Sequence, residues 1–387
     1  MRPIHMPLSV RGRVRWGVYN ERGEREPVRV TYPDGREALL SGGYWQPNLI
    51  TNLGMNAFAE TANGWVGLNG TLATSVRRYG RIGTGSSVPA FSDTALDNQV
   101  MYSNTAAPFS DNSVSGSEDG SNLTIHAMRR VTFVMDQNRN LTEFGFGKTE
   151  GGEFVEDPPD SGIFVWEDWN DIYVRELFRD SGGTPITLSI LSGKTLRIDH
   201  MYDITLDMSL QTGSFDVHEY DAANNFVSTT SVDYHARWYT IRTSAGTPTE
   251  NAMNMRVGVT GIVAAANFAV NTGMAYSTTL NPDITSGPHL GTTPTGYSLA
   301  WSSNWGSGGV VISNRPYTAG SHERVYDMVV TAAQGNFAWT GWGSWIRTSS
   351  MPQRGGGFIV AFRNDHAFTK VDTHTLRWSI KWSWARG

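Results

Sequence analysis

The chain has 387 residues, of which 39% are hydrophobic and 17% charged, and carries a formal net charge of -5. That length exceeds one small sandwich and points to two domains, or to one sandwich with large elaborations, while so few charges beside so much apolar residue exclude a disordered chain. Cysteine is absent, which excludes disulfides, thiolate metal sites and cysteine nucleophiles. The net negative balance speaks against a nucleic-acid partner, which needs a dense basic face.

Aromatics reach 11%, with 14 Trp beside 42 Gly, so many short strands packed by large rings and joined by glycine turns are expected. That is an all-β chain with very little helix. The longest apolar run, residues 257–270, is broken by Gly258, Thr260, Gly261 and Asn267 and falls short of the roughly 18 residues of a spanning helix, so no membrane span is expected. The opening Met1-Arg-Pro-Ile-His-Met-Pro-Leu lacks the apolar stretch of a secretion signal, and synthesis in a cytoplasm is expected. The basic residues are nearly all Arg, with Lys only at Lys148, Lys194, Lys370 and Lys381. Arg pairs with carboxylates in two-point geometry and is enriched at protein interfaces, although the base composition of the gene explains the bias equally well.

In chain order, Val10-Arg-Gly-Arg-Val-Arg-Trp-Gly-Val-Tyr alternates, a turn follows at Glu21-Arg-Gly-Glu, and alternation resumes at Val28-Arg-Val-Thr-Tyr. The pattern predicts a β-hairpin with Val14, Trp16 and Val18 on its one buried face, and makes residues 1–44 an N-terminal hairpin arm. Such an arm docks on its own domain, the commoner outcome, or on a neighbouring subunit. Thr51 or Asn52 then caps a short helix through Met55, Ala57 and Ala59 that ends near Asn63-Gly64.

A strand and glycine loop begin at Tyr79, and the Ser-, Asn-, Asp- and Gly-rich residues 104–122 read as a surface loop. Strands are expected at 123–135 and 140–147, joined by the turn Asp136-Gln-Asn-Arg, then an acidic loop at 150–162, then strands at 163–178, 186–191 and 196–210. This spacing makes residues 45–210 a β-sandwich. Beyond residue 211 the composition shifts toward Thr, Ser, Gly, Asn and Trp, with strands expected at 214–220, 236–242, 310–313 and 324–332. Residues 211–387 thus form a second, Trp-rich β domain. Its last run places Leu376, Trp378, Ile380, Trp382 and Trp384 on one face and Arg377, Ser379, Lys381 and Ser383 on the other. No fixed-period repeat marks a solenoid or propeller.

Four segments in order carry a resemblance: Asn48-Leu-Ile-Thr-Asn-Leu-Gly-Met, the loop Ile82-Gly-Thr-Gly-Ser-Ser-Val-Pro-Ala-Phe-Ser-Asp-Thr-Ala-Leu, the strand Asn140-Leu-Thr-Glu-Phe-Gly-Phe, and Tyr173-Val-Arg-Glu-Leu-Phe-Arg-Asp-Ser-Gly-Gly-Thr-Pro-Ile-Thr-Leu. Together they resemble structural proteins of tailed-bacteriophage virions, of the tail, tail-fibre or collar type. The resemblance covers roughly residues 45–210, with a weaker echo in the terminal Trp-Ala-Arg. It implies a homo-oligomeric virion protein whose partners are copies of itself and other phage tail proteins, with host surface glycan as a further partner. In the loop, Gly83 and Gly85 are expected to supply positive φ where the strand leaves the sheet, Pro89 to stiffen the exit, and Asp93 or Thr94 to bond local amides before Leu96 returns to the core. In the strand at 140–146, Glu143 is expected opposite the face of Phe144 and Phe146. Arg175, Glu176 and Arg179 are candidate inter-subunit charges together with Glu143, and Arg175 has two candidate partners, Glu143 and a neighbouring subunit.

Catalytic and cofactor chemistry finds little footing. Gly80-Arg-Ile-Gly-Thr-Gly-Ser-Ser lacks the Lys and the following helix of a phosphate loop. The carboxylates Glu153, Glu156, Asp157, Asp160, Glu167, Asp168 and Asp171 contain pairs a polysaccharide depolymerase needs, but acids around Pro158-Pro159 read first as a solvated loop. Asp157, Asp160, Asp168 and Asp171 lack the spacing of a calcium loop. His200, His218, His235, His366 and His374 lack ligand spacing for zinc and read as surface or core histidines. No nucleophile elbow is present. The reading is of a non-enzyme without catalytic, cofactor or metal residues. Trp301, Trp305, Trp339, Trp342 and Trp345 lie in Gly- and Ser-rich stretches expected as loops, where rings serve as core, as subunit interface or as glycan contacts.

Overall fold

The computed structural model describes residues 1–60, 79–103, 112–118, 122–147, 153–156, 164–167, 172–207, 209–241, 273–275, 310–315, 317–332, 338–339, 341–348, 351–362 and 368–387. The fold is all-β: strands dominate, and the described residues contain one short helix, Asn52–Glu60. No helix among them is long and apolar enough to cross a membrane.

The first strand, Ile4–Tyr19, is the axis of the molecule. Its even-numbered residues Ile4, Leu8, Val10, Val14, Trp16 and Val18 are all buried, as a period of two with one apolar face requires. Over residues 9–19 it runs antiparallel to Thr195–Asp207, and over residues 4–10 it runs parallel to the C-terminal strand Thr375–Arg386. The expected hairpin is only partly present: Arg25–Glu26 returns opposite Val18 and Tyr19, but Val28–Thr31, expected as the return strand, pairs instead with Thr187–Ile190 and Glu37–Leu40. The arm therefore docks on its own chain, because its apolar face completes the core there.

Thr195–Asp207 continues to Asn122–Val134, which continues to Asn112–Glu118. This last strand corrects the loop expected at 104–122. Its Ser-, Gly- and Asn-rich composition signals a turn locally, but the long neighbouring strand offers backbone donors and acceptors along its whole length, and pairing satisfies them. The acidic segment behaves likewise: Glu153–Glu156 pairs with Phe164–Glu167, so part of the expected loop at 150–162 is strand.

A second layer consists of Tyr79–Gly83, Glu143–Gly147, Val174–Leu177 and Gln46–Ile50, with Gln99–Tyr102 beyond Tyr79–Gly83. Every residue of the first three is buried, so these strands are covered on both faces. The layers meet where Gly80 allows close approach: a Cβ there would lie 2.5 Å from Val131 Cγ2 and 2.9 Å from Phe133 Cζ. His200 packs between them, 5.0 Å from the Phe146 ring. A small sheet of Arg139–Leu141, Thr187–Ile190, Val28–Thr31 and Glu37–Leu40 lies beside them.

In the C-terminal half, Gln211–Tyr220 pairs with Phe226–Ile241, then Met351–Phe362, then Gly341–Thr348. Thr375–Arg386 has Glu323–Val330 on one side and Ile4–Tyr19 with the end of Gln211–Tyr220 on the other. Its Leu376, Trp378, Ile380 and Trp384 are buried as the alternation requires. Buried side chains from both sides of residue 211 form one hydrophobic cluster, in which Trp378 and Phe215 join Trp16 and Tyr202.

Candidate functional site

The conspicuous ionic cluster is internal. Arg175, 2% exposed in its side chain, lies 2.9 Å from Glu143 Oε2, 2.6 Å from Asp93 and 2.8 Å from Asp97. Glu143, with 0% exposure, also accepts the backbone N–H groups of Gly85 and Asn98 at 2.9 Å and of Asp97 at 3.2 Å. Hydrogen bonds from Ser87, with Arg175 alongside, hold the Asp97 carboxyl below its ordinary range against the opposing effect of burial. Within the chain, Arg175 meets Glu143, one of the two partners expected for it. Glu176 takes Arg179 at 2.9 Å, again within the chain. The cluster pins loop 84–98 to the second layer.

One expectation about this loop is corrected. Gly83 and Gly85 are absent from the glycines with positive φ. They are small because a Cβ at either would lie 2.5 or 2.4 Å from Glu143 Oε1, respectively. Glu143 alternates with Phe144 and Phe146 along the strand, as expected, and is fully buried because the strand is covered on both sides. Asp93 does bond the Ala90 N–H at 2.8 Å, and Leu96 is buried, as expected.

The tryptophan candidates divide. Trp301 and Trp305 lie outside the described residues. Trp339 belongs to a short strand pair opposite Phe368, and Trp342 and Trp345 belong to Gly341–Thr348, opposite Val360 and Gly357. These last three are on strands where loops were expected, since the glycines around them do not prevent cross-strand pairing. Among the histidines, His200 is a core residue 4.3 Å from the Tyr202 ring, His218 packs against Phe226, His374 lies 3.4 Å from Glu219, and His366 falls outside the described residues. Glu153, Glu156 and Glu167 sit on the small hairpin, while Asp157, Asp160, Asp168 and Asp171 fall outside.

Two surface features escaped the sequence reading. The first is a charge ladder across the outer face of three long strands. Asp199 is shared by Arg15 at 2.8 Å and Arg130 at 2.6 Å, and Asp203 by Arg13 and His126, both at 2.6 Å. Burial pushes the Asp203 carboxyl up, but hydrogen bonds from His126 and Arg13 outweigh it and hold the group below its ordinary value. Trp45 covers Arg15 and Arg13 with ring-to-guanidinium distances of 4.6 and 5.6 Å. The alternating Arg11, Arg13 and Arg15 hinted at this face, but the carboxylates arrive from a strand some 185 residues away, at separations of 184 and 190. The second feature is Glu37–Leu40, which among the described residues pairs on one side only, with Val28–Thr31. Ala38 and Leu40 pack on the core, whereas Leu39 is 71% exposed.

Comparison with protein-family models, with curated proteins and with solved structures finds no match.

Proposed function

We propose that this chain is a structural subunit of a tailed-phage virion that assembles with copies of itself, and with other tail proteins, into a ring, sheath or fibre segment. The observation that carries the reading is the one-sided strand Glu37–Leu40 with Leu39 at 71% exposure. An open edge with an apolar side chain is a template for a strand from another chain unless it is covered, and burying one Leu contributes about 1.5–3 kcal/mol per contact. The four phage-like segments supply the virion context. The ordered internal charges fit a rigid building block, since they brace loop 84–98 and the long strands without a ligand.

Sedimentation of the purified chain tests the reading, together with immunolabelling of virions. The native chain is expected to form a closed oligomer, and Leu39→Lys to shift it to monomer without lowering its melting temperature. A chain that stays monomeric at high concentration and is missing from virions overturns the proposal. Turnover of capsule polysaccharide would replace it with a depolymerase, and glycan binding lost in Trp342→Ala would replace it with a receptor-binding tail protein.

A further inference from the structure

A hollow of about 350 Å³ opens at one end of the charge ladder, walled by Arg15, Tyr19, Arg25, Gly43, Arg197 and Asp199. It exists because Gly17 leaves a gap in the outer face of the first strand, directly opposite Arg197 of Thr195–Asp207. A Cβ at Gly17 would lie 3.2 Å from Tyr19 Cε2 and 3.3 Å from Arg25 Cδ. Gly43, at φ 88°, brings its backbone against the Arg25 guanidinium, and its N–H is held by the Trp16 carbonyl at 2.7 Å. Backbone pairing thus fixes the hollow, with Tyr19 opposite Arg25 across the hairpin.

Its charge is unbalanced. Asp199 is already shared by Arg15 and Arg130, and the nearby Glu26 is taken by Lys194 at 2.5 Å. Arg25 and Arg197 make no ion pair among the described residues. Arg197 lies 4.0 Å over the Tyr19 ring, which orients its guanidinium without neutralising it. The Arg197 guanidinium, oriented on Tyr19, and the exposed Arg25 line one concave space without a carboxylate of their own, an arrangement suited to an oxyanion because paired N–H groups match two oxygens of phosphate or carboxylate. The space is larger than a bare anion and falls at the lower end of small-molecule pockets, roughly 300–1,000 Å³.

We infer that this hollow binds a phosphate or carboxylate group carried on a body about the size of one sugar ring, with Arg25 and Arg197 as the anion contacts. The site lies within a single subunit and does not depend on the assembly reading. Calorimetric titration of the full chain at low salt, with glucose 6-phosphate, glucuronate, inorganic phosphate and glucose as probes, tests it. The two acidic sugars are expected to bind saturably, phosphate more weakly and glucose not at all. Arg25→Gln and Arg197→Gln are each expected to weaken binding about tenfold or more, as loss of a charge-assisted contact does, while Arg29→Gln, paired with Glu37 in the small sheet, leaves it unchanged. Thermal melts establish that each variant is folded. Absence of saturable binding by the native chain, binding that survives in the folded double variant, or equal binding of glucose overturns the site. Phosphate binding as tightly as the sugar phosphate overturns the sugar-sized body.

Discussion

Arg175 and Glu143 show how a buried charge is tolerated: each is held by several partners on loop 84–98 and its neighbouring strand. Arg175→Met leaves Glu143 buried without its cation and is expected to cost about 3–5 kcal/mol in urea denaturation. Gly85→Ala forces a methyl against the same carboxylate and is expected to cost about 1–3 kcal/mol. A second buried charge is Lys370, 1% exposed, whose ammonium donates to the Ala332 carbonyl at 3.0 Å and whose pKa burial pulls down to about 8. In the unfolded chain the group stays protonated to about 10.4. Between these values the unfolded state binds more protons, so stability rises with pH across that window. Denaturation at pH 7 and pH 9.5 is expected to show the native chain gaining on Lys370→Met as pH increases; parallel profiles would remove Lys370 as the cause. The helix cap was legible at this scale: Thr51 Oγ1 accepts the Gly54 N–H at 3.1 Å. The roles of Gly83 and Gly85 were not, because the atom that limits them belongs to a residue some sixty positions away.

Elements with strict alternation were read correctly and those with polar composition were not. The last strand illustrates the first kind, with Trp378 at 1% exposure beside the outward-facing Lys381, which pairs with Glu323 at 2.9 Å. Trp378→Ala is expected to destabilise by about 3–5 kcal/mol, and Lys381→Ala by no more than about 1 kcal/mol. Equal effects from the two would contradict the assignment of faces. Asn112–Glu118 illustrates the second kind: Ser and Gly lower strand propensity, yet seven consecutive residues pair with Asn122–Val134. Propensity is a local preference of under about 1 kcal/mol per residue, and a ready ladder of backbone partners overrides it.

For the whole molecule, the first strand is decisive, because it pairs with Thr195–Asp207 over one stretch and with Thr375–Arg386 over another. The hydrophobic cluster likewise runs from Trp16 through Phe215 to Trp378. Unfolding of the native chain is therefore expected to be a single calorimetric transition, and deletion of residues 1–8 to lower its temperature as one event. Two resolved transitions, one of them indifferent to the deletion, would show instead that the halves are energetically independent.

By itself the sequence determined the all-β class, the buried face of the first and last strands, the helix cap and the scarcity of helix. All of these follow from the spacing of apolar residues along a few consecutive positions. Tertiary structure alone decided that the N-terminal strand runs parallel to the C-terminal one, that Arg175 meets Glu143, and that Gly17 faces Arg197 across a hollow. Those outcomes depend on the register between strands that lie 32 residues apart for Arg175 and Glu143 and nearly the whole chain apart for the two terminal strands, and period-two alternation leaves that register unspecified except by which face is buried.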